Sequence, residues 1–415
     1  MSDEDKSVTI IGAGIVGICC ALSLQEKGWQ VHLIDRDEPG QGASMGNAGI
    51  VSPWSVVPQS MPGLWKSIPK WLLDPQSPLA VSPGHLFRFL PWAARFLASG
   101  REPQARAISH AMANLMNSNI DIYRRHLSGT GHEGLLKDSN LVVVSRKALN
   151  FPEGLGWQLR EIVGAPMRQV SGPEIREIEP TLSPAYNSAV IVEDQARAIS
   201  PGRIGQVLAE KVRTRGGVIQ RAEVQRLYPN DDKSGWTIEL EGQKLGVERV
   251  VVAAGAWSAK LLQSLGVKVP LEAEGGYHTL FKSPGIALNN SISDIDYHVV
   301  SSSMEHGLRT AGTAEFAGIN AKPNYGRARL LIGQTKSMFP DLDTSDVDYW
   351  RGTRPSFPDS LPAIGAIEGL PNLFAAFGHS HYGLGMAPVT GMILAETING
   401  NRPNIDMAPY SIHRF

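Results

Sequence analysis

The chain reads as an α/β protein, and three observations carry that reading. An apolar, β-branched run, "VTII" (Val8–Ile11), leads directly into glycines spaced G-x-G-x-x-G and then into a helix-forming stretch. A second strand–turn–helix pattern, "VERVVVAAGAWSAKLLQSLGV", recurs in the second half of the chain. Between and after them lie segments that alternate apolar and polar residues with period two, "SNLVVVSR", "SAVIVED" and "HGLRTAGTAEFAG", as half-buried strands do. With 415 residues, two domains are expected.

In the opening unit, Gly12 permits a tight turn and Gly14 lets the backbone approach a pyrophosphate. Gly17 lets the helix "IVGICCALSLQEKG" lie close to the strand. The N–H groups of Ile15 and Val16, at the positive end of that helix, suit phosphate. Gly28 ends the helix, and "QVHLID" makes a second strand with Asp35 at its end. A carboxylate there accepts hydrogen bonds from an adenosine ribose, so the whole order of elements predicts a dinucleotide site. The small-residue loop that follows, with Ser44, Gly46, Asn47, Ala48 and Gly49, lets the backbone pass close to a flat ring.

Composition narrows the class. Hydrophobic residues make up 42% and charged residues 19%, as in an ordinary globular enzyme. The 39 basic and 40 acidic side chains create no field that favours nucleic acid. The acidic start "MSDEDKS" lacks the basic-then-apolar pattern of a secretory signal, and no apolar run approaches the roughly eighteen residues of a membrane span. The two cysteines, Cys19 and Cys20, are adjacent on the first helix, so neither a disulfide nor a metal cluster is expected, and the reading is cytoplasmic. The acids Asp341, Asp343, Asp346 and Asp348 lack the glycine and final glutamate of a calcium loop and read as solvated surface.

The loop containing "SMGNAG" resembles the S-x-x-N-A-G segment of FAD-dependent amino-acid oxidoreductases of the D-amino-acid oxidase superfamily. The resemblance is nearest to glycine oxidase and bacterial D-amino-acid dehydrogenase. Two linked stretches near the C-terminus, "GTRPSFPDSLPAIG" and "GHSHYGLGMAPVTG", match motifs of the same family. The resemblance implies a Rossmann-like FAD-binding domain from residues 1–85, 195–270 and 345–415. A second, largely antiparallel α+β substrate domain would take 86–194 and 271–344. It implies cofactor contacts from Gly12, Gly14, Ile15, Val16, Gly17, Asp35, Arg36, Ser44, Asn47, Ala48, Gly49, Ala254, Gly255, Trp257, and Gly383, Leu384, Gly385 and Met386. Backbone N–H groups of that last run, at the start of the helix "APVTGMILAETI" with Pro388 compatible with its first turn, would stabilise charge on reduced flavin. Attachment of the flavin through cysteine, known in some relatives, is excluded by the position of both cysteines, so noncovalent FAD is expected.

For catalysis, Arg354 inherits the family's carboxylate-binding position, where a planar guanidinium suits a bidentate contact. Tyr277 and His278, on a strand expected to enter the active site, and His381 beside Tyr382 are the other groups expected to face substrate; His379 more readily orders its loop. The implied reaction oxidises the Cα–N bond of a D-amino acid, or of a small cyclic or N-substituted one. Electrons then pass to a quinone or other carrier, or to dioxygen. Oxidation of a 2-hydroxy acid, and a noncatalytic FAD-binding assembly protein, are the alternatives. "MPGLWKSIPKWLLDPQSPLAVSPGHLFRFLPWAARFLASGR" reads as a proline-punctuated connector on the substrate domain, with peripheral contact to an inner membrane surface as its second reading. "HAMANLMNSNIDIYRRHL" fits one amphipathic helix.

Overall fold

A computed structural model describes residues 6–74, 76–231 and 234–415; the first five residues of the acidic start lie outside it. The strand Ser7–Ile11 is buried from Val8 onward and sits inside a sheet of six strands. Its parallel neighbours are Gln30–Asp35 on one side and Val250–Val252 on the other. Val218–Arg221 extends the sheet beyond Gln30–Asp35. Leu373–Phe377 and Ala363–Ala366 complete the opposite edge, the last strand running antiparallel. Strands buried on both faces read as continuous apolar runs, which is why "VTII", "VVV" and "LFAAF" carry no alternation.

The helix Ile15–Gln25 covers this sheet and is buried almost throughout. Its neighbour is the helix Gly383–Ile398, and the two approach so closely that a Cβ on Gly391 would lie 2.5 Å from the carbonyl oxygen of Cys19. Gly17 is required for the same kind of reason: its Cβ would lie 2.0 Å from the oxygen of Gly12. Gly12 itself has φ +116°, with Ala253 packed against it.

The helix Gly383–Ile398 begins four residues earlier than "APVTGMILAETI" suggests, so Pro388 lies inside it rather than in its first turn. Proline brings no N–H to the carbonyl of Leu384. The Tyr123 hydroxyl takes that place, donating to the Leu384 oxygen at 2.8 Å. Tyr123 stands on Asn119–Leu127, and the single amphipathic helix expected over 110–127 is in fact broken. Glu102–Met116 ends before Ser118, whose φ of 62° turns the chain. The break aims buried Asn119, which donates to the carbonyls of Ser52 and Gly385 at 3.1 Å each.

The second sheet contains ten strands and is mostly antiparallel. Its order runs Val347–Ser356, Glu272–Phe281, Gly307–Phe316, Val299–Met304, Ser291–Asp294, Leu136–Ser145, Ser188–Ala198 and Ile50–Val51. Leu79–Val81 pairs with Gly307–Phe316, and Met167–Ser171 with Ser188–Ala198. The three period-two segments therefore all enter this sheet. So do Ile50–Val51 and Val347–Ser356, although the boundaries read from the sequence put residues 1–85 and 345–415 with the dinucleotide domain. Those two strands carry the chain from one sheet to the other, and the space between the sheets is where the cavity lies.

The proline-rich segment packs on the second sheet through Leu79–Val81 and through the helix Leu86–Ser99, which buries Phe89 and Trp92. No helix among the described residues is long and apolar enough to cross a membrane. The acidic group near residue 345 is surface: Lys282 lies 3.2 Å from both Asp346 and Asp348. Among the described residues no cluster of ligating side chains suits a metal ion.

Candidate active site

One continuous cavity of about 1400 Å³ runs between the sheets. At one end stand Asp35, Arg36 and Trp257, with the Arg36 guanidinium 3.8 Å from the Trp257 ring centre. Asp35 Oδ2 accepts the Ala13 N–H at 2.6 Å and Oδ1 accepts the Asp37 N–H at 3.0 Å. Burial nonetheless raises its carboxyl above the ordinary value, against the pull of those two donors. A further donor, such as a ribose hydroxyl, restores the charged form.

The middle of the cavity is formed by Gly14, Ile15, Val16, Ser44, Asn47, Ala48, Ala254 and Gly255. The Ile15 N–H reaches Ser44 Oγ at 3.0 Å, tying the small-residue loop to the helix N-terminus. A Cβ on Gly14 would meet only Ser44 Oγ, at 3.6 Å, so this glycine keeps room on the cavity side. Farther along, Gly383, Leu384 and Gly385 bring the N-terminus of the helix Gly383–Ile398 to the wall. Just before it, Ser380 has φ +49°, a left-handed backbone rarely held by serine without cause. Ser380 Oγ and Thr313 Oγ1, both at the wall, are buried without a hydrogen-bond partner among the described residues.

The far end belongs to two adjacent antiparallel strands. Glu274 stands opposite Arg354, Gly276 opposite Gly352, and His278 opposite Trp350, so these six share one face. Arg354 Nη1 donates to Glu274 Oε1 at 2.7 Å and to the Thr313 carbonyl at 3.2 Å, and lies 3.2 Å from His381 Nε2. His381 Nε2 is 2.5 Å from the same Glu274 oxygen, and Ser356 Oγ donates to Oε2 at 2.8 Å. Burial would raise the Glu274 carboxyl, but His381 and Arg354, with the hydrogen bonds from His381 and Ser356, bring it down to about 2. The guanidinium lies flat across Gly276, where a Cβ would sit 2.2 Å from Cζ. Its hydrogen bonds among the described residues all run through Nη1, which leaves the Nη2 edge of the fork open at the cavity wall.

Several residues singled out from the sequence are placed differently. Gly17, Gly49 and Met386 do not line the cavity. Gly17 serves helix packing, Met386 is wholly buried, and Gly49 has φ +85° and passes Ala198, whose oxygen would lie 2.5 Å from a Cβ. Tyr277 faces the other side of its strand, donating to Glu315 at 2.5 Å and accepting the Asn324 N–H at 2.9 Å. His278 is screened by Trp350, stacked at 5.1 Å, and its Nδ1 lies 3.1 Å from the Gly46 carbonyl. Burial and nearby Arg309 push its imidazole down to about 3, so it is neutral and committed. Tyr277 reaches the cavity wall, but its hydroxyl is already committed, and His278 is not among the lining residues. His379 is buried against Thr390 Oγ1 at 3.0 Å, and burial pushes it down to about 3. Cys19 and Cys20 are buried, and burial drives Cys20 up to about 12, which leaves neither thiol available for a flavin linkage.

Glu274 was not foreseen from the sequence. Its signal, one of two acids in the strand "EAEGGYHTLF", is weak without knowledge of the arginine opposite.

A helix N-terminus beside an acid-terminated strand, a second helix N-terminus farther along, and a buried ion pair at the end of the same cavity define a dinucleotide-dependent redox protein. Residues 7–397 match the family described as FAD dependent oxidoreductase, and the chain belongs to that family. It is 37% identical, over 99% of both chains, to a D-amino-acid oxidase of Bradyrhizobium diazoefficiens. Its fold is that of L-proline dehydrogenase from P. horikoshii (TM-score 0.75, 18% identity, 99% of this chain and 98% of the other). It is also that of glycine oxidase from Geobacillus kaustophilus (TM-score 0.73, 21% identity, 98% of each). The cofactor is accordingly FAD, and the room at Gly14, the underdonated Asp35 and the unpartnered polar atoms near the second helix fit it.

Proposed function

We propose that this chain oxidises the Cα–N bond of an amino acid, a D-amino acid or a cyclic or N-substituted one, to the imine, which water hydrolyses to the 2-oxo acid. The observation that carries the reading is Arg354: it stands at the cavity wall with one edge of its fork held by Glu274 and the other open. An open guanidinium edge beside a buried, already compensated acid recognises a carboxylate, the one anionic group every α-amino acid has. FAD supplies the acceptor for the two electrons and the hydrogen leaving Cα. The chain's part is then orientation. Arg354 pins the carboxylate, Glu274 and Thr313 keep the guanidinium from turning, and His381 closes the polar end beside them. Asp35 and the first helix hold the adenosine and pyrophosphate, and the helix Gly383–Ile398 presents its positive end to the ring.

The test is anaerobic mixing of the FAD-loaded protein with both enantiomers of a panel of amino acids and with 2-hydroxy acids. Bleaching of the flavin by amino acids, in one enantiomeric series, supports the reading. Reduction by hydroxy acids alone, or by nothing in the panel, overturns it. For the onward acceptor we keep the quinone or other carrier expected from the sequence motifs, although the 37% identical relative is named an oxidase; turnover with a quinone exceeding oxygen uptake supports this, and the reverse makes the protein an oxidase.

A further inference from the structure

The end of the cavity that holds Arg354 holds more than the ion pair. On four neighbouring strands Arg354, Glu274, Phe316 and Val81 stand opposite one another in sequence, so they leave the same face of the sheet in a row. At about 4.8 Å per strand, Phe316 stands about 10 Å from Arg354. Its ring lies 4.4 Å from that of Phe89 and 5.3 Å from that of Trp92, and Trp92 stacks on Phe96 at 5.0 Å. Trp92 is fixed to the arginine's own strand, its Nε1 donating to the Ser356 carbonyl at 3.0 Å. Phe89, Trp92, Phe96 and Phe316, with Trp71 and Leu79, all line the cavity. The segment 61–101 that supplies five of these six carries a single acid, Asp74, and it is not at the wall.

We propose that this aromatic wall receives the substrate side chain, and that the enzyme is selective for amino acids with large aliphatic or aromatic side chains. The inference rests on the reading that Arg354 holds the substrate carboxylate. With the carboxylate fixed there, a methyl side chain ends far short of a wall about two strands away, whereas a leucine or phenylalanine side chain extends toward it. Each methylene removed from water contributes about fourfold, so leucine exceeds alanine in kcat/KM by about 50-fold. A charged side chain is disfavoured, because the wall has no group to replace its water.

The experiment measures kcat/KM with a dye acceptor for glycine, alanine, 2-aminobutyrate, leucine, phenylalanine and aspartate, in the enantiomeric series that reduces the flavin. A rise with apolar side-chain size, with aspartate at the bottom, is expected. In Phe89→Ala the phenylalanine-to-alanine ratio falls about tenfold while the FAD content stays normal; Phe316→Ala serves if that variant does not fold. Glycine or alanine turning over as well as leucine, or an unchanged ratio in a folded variant, overturns the selectivity and leaves the oxidation of amino acids standing. Failure of every amino acid to reduce the flavin removes both.

Discussion

Glu274 and Arg354 face each other directly across two antiparallel strands, 2.7 Å from oxygen to nitrogen, with Glu274 almost fully buried. A buried carboxylate so close to the guanidinium proposed to hold the substrate costs affinity for an anion, since it opposes the substrate's charge. Its return is geometric: a long, flexible side chain is held in one rotamer over Gly276.

Arg354→Lys therefore cripples turnover although it keeps the charge. Lysine replaces a planar fork by a point donor, and neither the brace to Glu274 nor a two-point grip on the carboxylate survives. Displacement of about 1 Å slows hydrogen transfer by about 100-fold. Anaerobic stopped-flow reduction is expected to show both a slower limiting rate and weaker binding, with the bound-FAD spectrum unchanged. Wild-type kinetics would assign the carboxylate to another group; of the remaining arginines, Arg351 lines the cavity, whereas Arg309 and Arg327 are spent on the backbone of 45–47 and of Ser77.

Glu274→Gln separates the two effects of the acid. Removing its charge relieves repulsion of the substrate carboxylate, so binding of a nonreacting carboxylate ligand tightens, by about threefold to tenfold. Releasing the brace slows flavin reduction by about 10- to 100-fold. Ligand titration and stopped-flow on the same preparation read both; weaker binding together with an unchanged rate would contradict this division of roles.

Asp35→Ala weakens FAD by about 1.5–3 kcal/mol, the range for a hydrogen bond to a charged group. Because Asp35 also accepts the N–H groups of Ala13 and Asp37, the apo-protein loses stability too. FAD titration and apo-protein thermal unfolding measure the two losses, and an intact FAD affinity would remove Asp35 from the ribose.

Stability is expected to start falling on acidification near pH 6.5. His126, His278 and His379 are each pushed down to about 3, burial being the first cause in all three. Above the ordinary histidine value of about 6.5 both states are neutral and stability is flat. Below it the unfolded chain takes up protons that the folded chain refuses, so stability falls with pH until about 3. The loss amounts to about 2 kcal/mol per histidine between pH 6.5 and 5. Glu274, lowered to about 2, adds a further loss below about pH 4.5. Urea unfolding of the FAD-loaded protein at pH 7.5 and 5 checks this, and equal midpoints would refute it.

Local patterns were enough to read the dinucleotide half. The glycines, the apolar strand and Asp35 lie within about thirty residues, and Gly17 answers a constraint set by Gly12 in the same turn. The place of Arg354 at the cavity wall was legible too, through its motif. Tertiary structure decided what those residues meet. Glu274 is 80 residues from Arg354 and its role comes from strand register, which no short-range pattern encodes. Register also committed the Tyr277 hydroxyl to Glu315, and stacking under Trp350 closed off His278. Likewise Pro388 tolerates a helix interior only because Tyr123, from a distant helix, satisfies the carbonyl it leaves behind. The spacing of strand, glycine turn, helix and acid is a pattern between neighbours in sequence, whereas hydrogen-bond partnership and burial act between neighbours in space. The cofactor's binding loop could therefore be read along the chain, and the substrate's end of the cavity only once the sheets had come together.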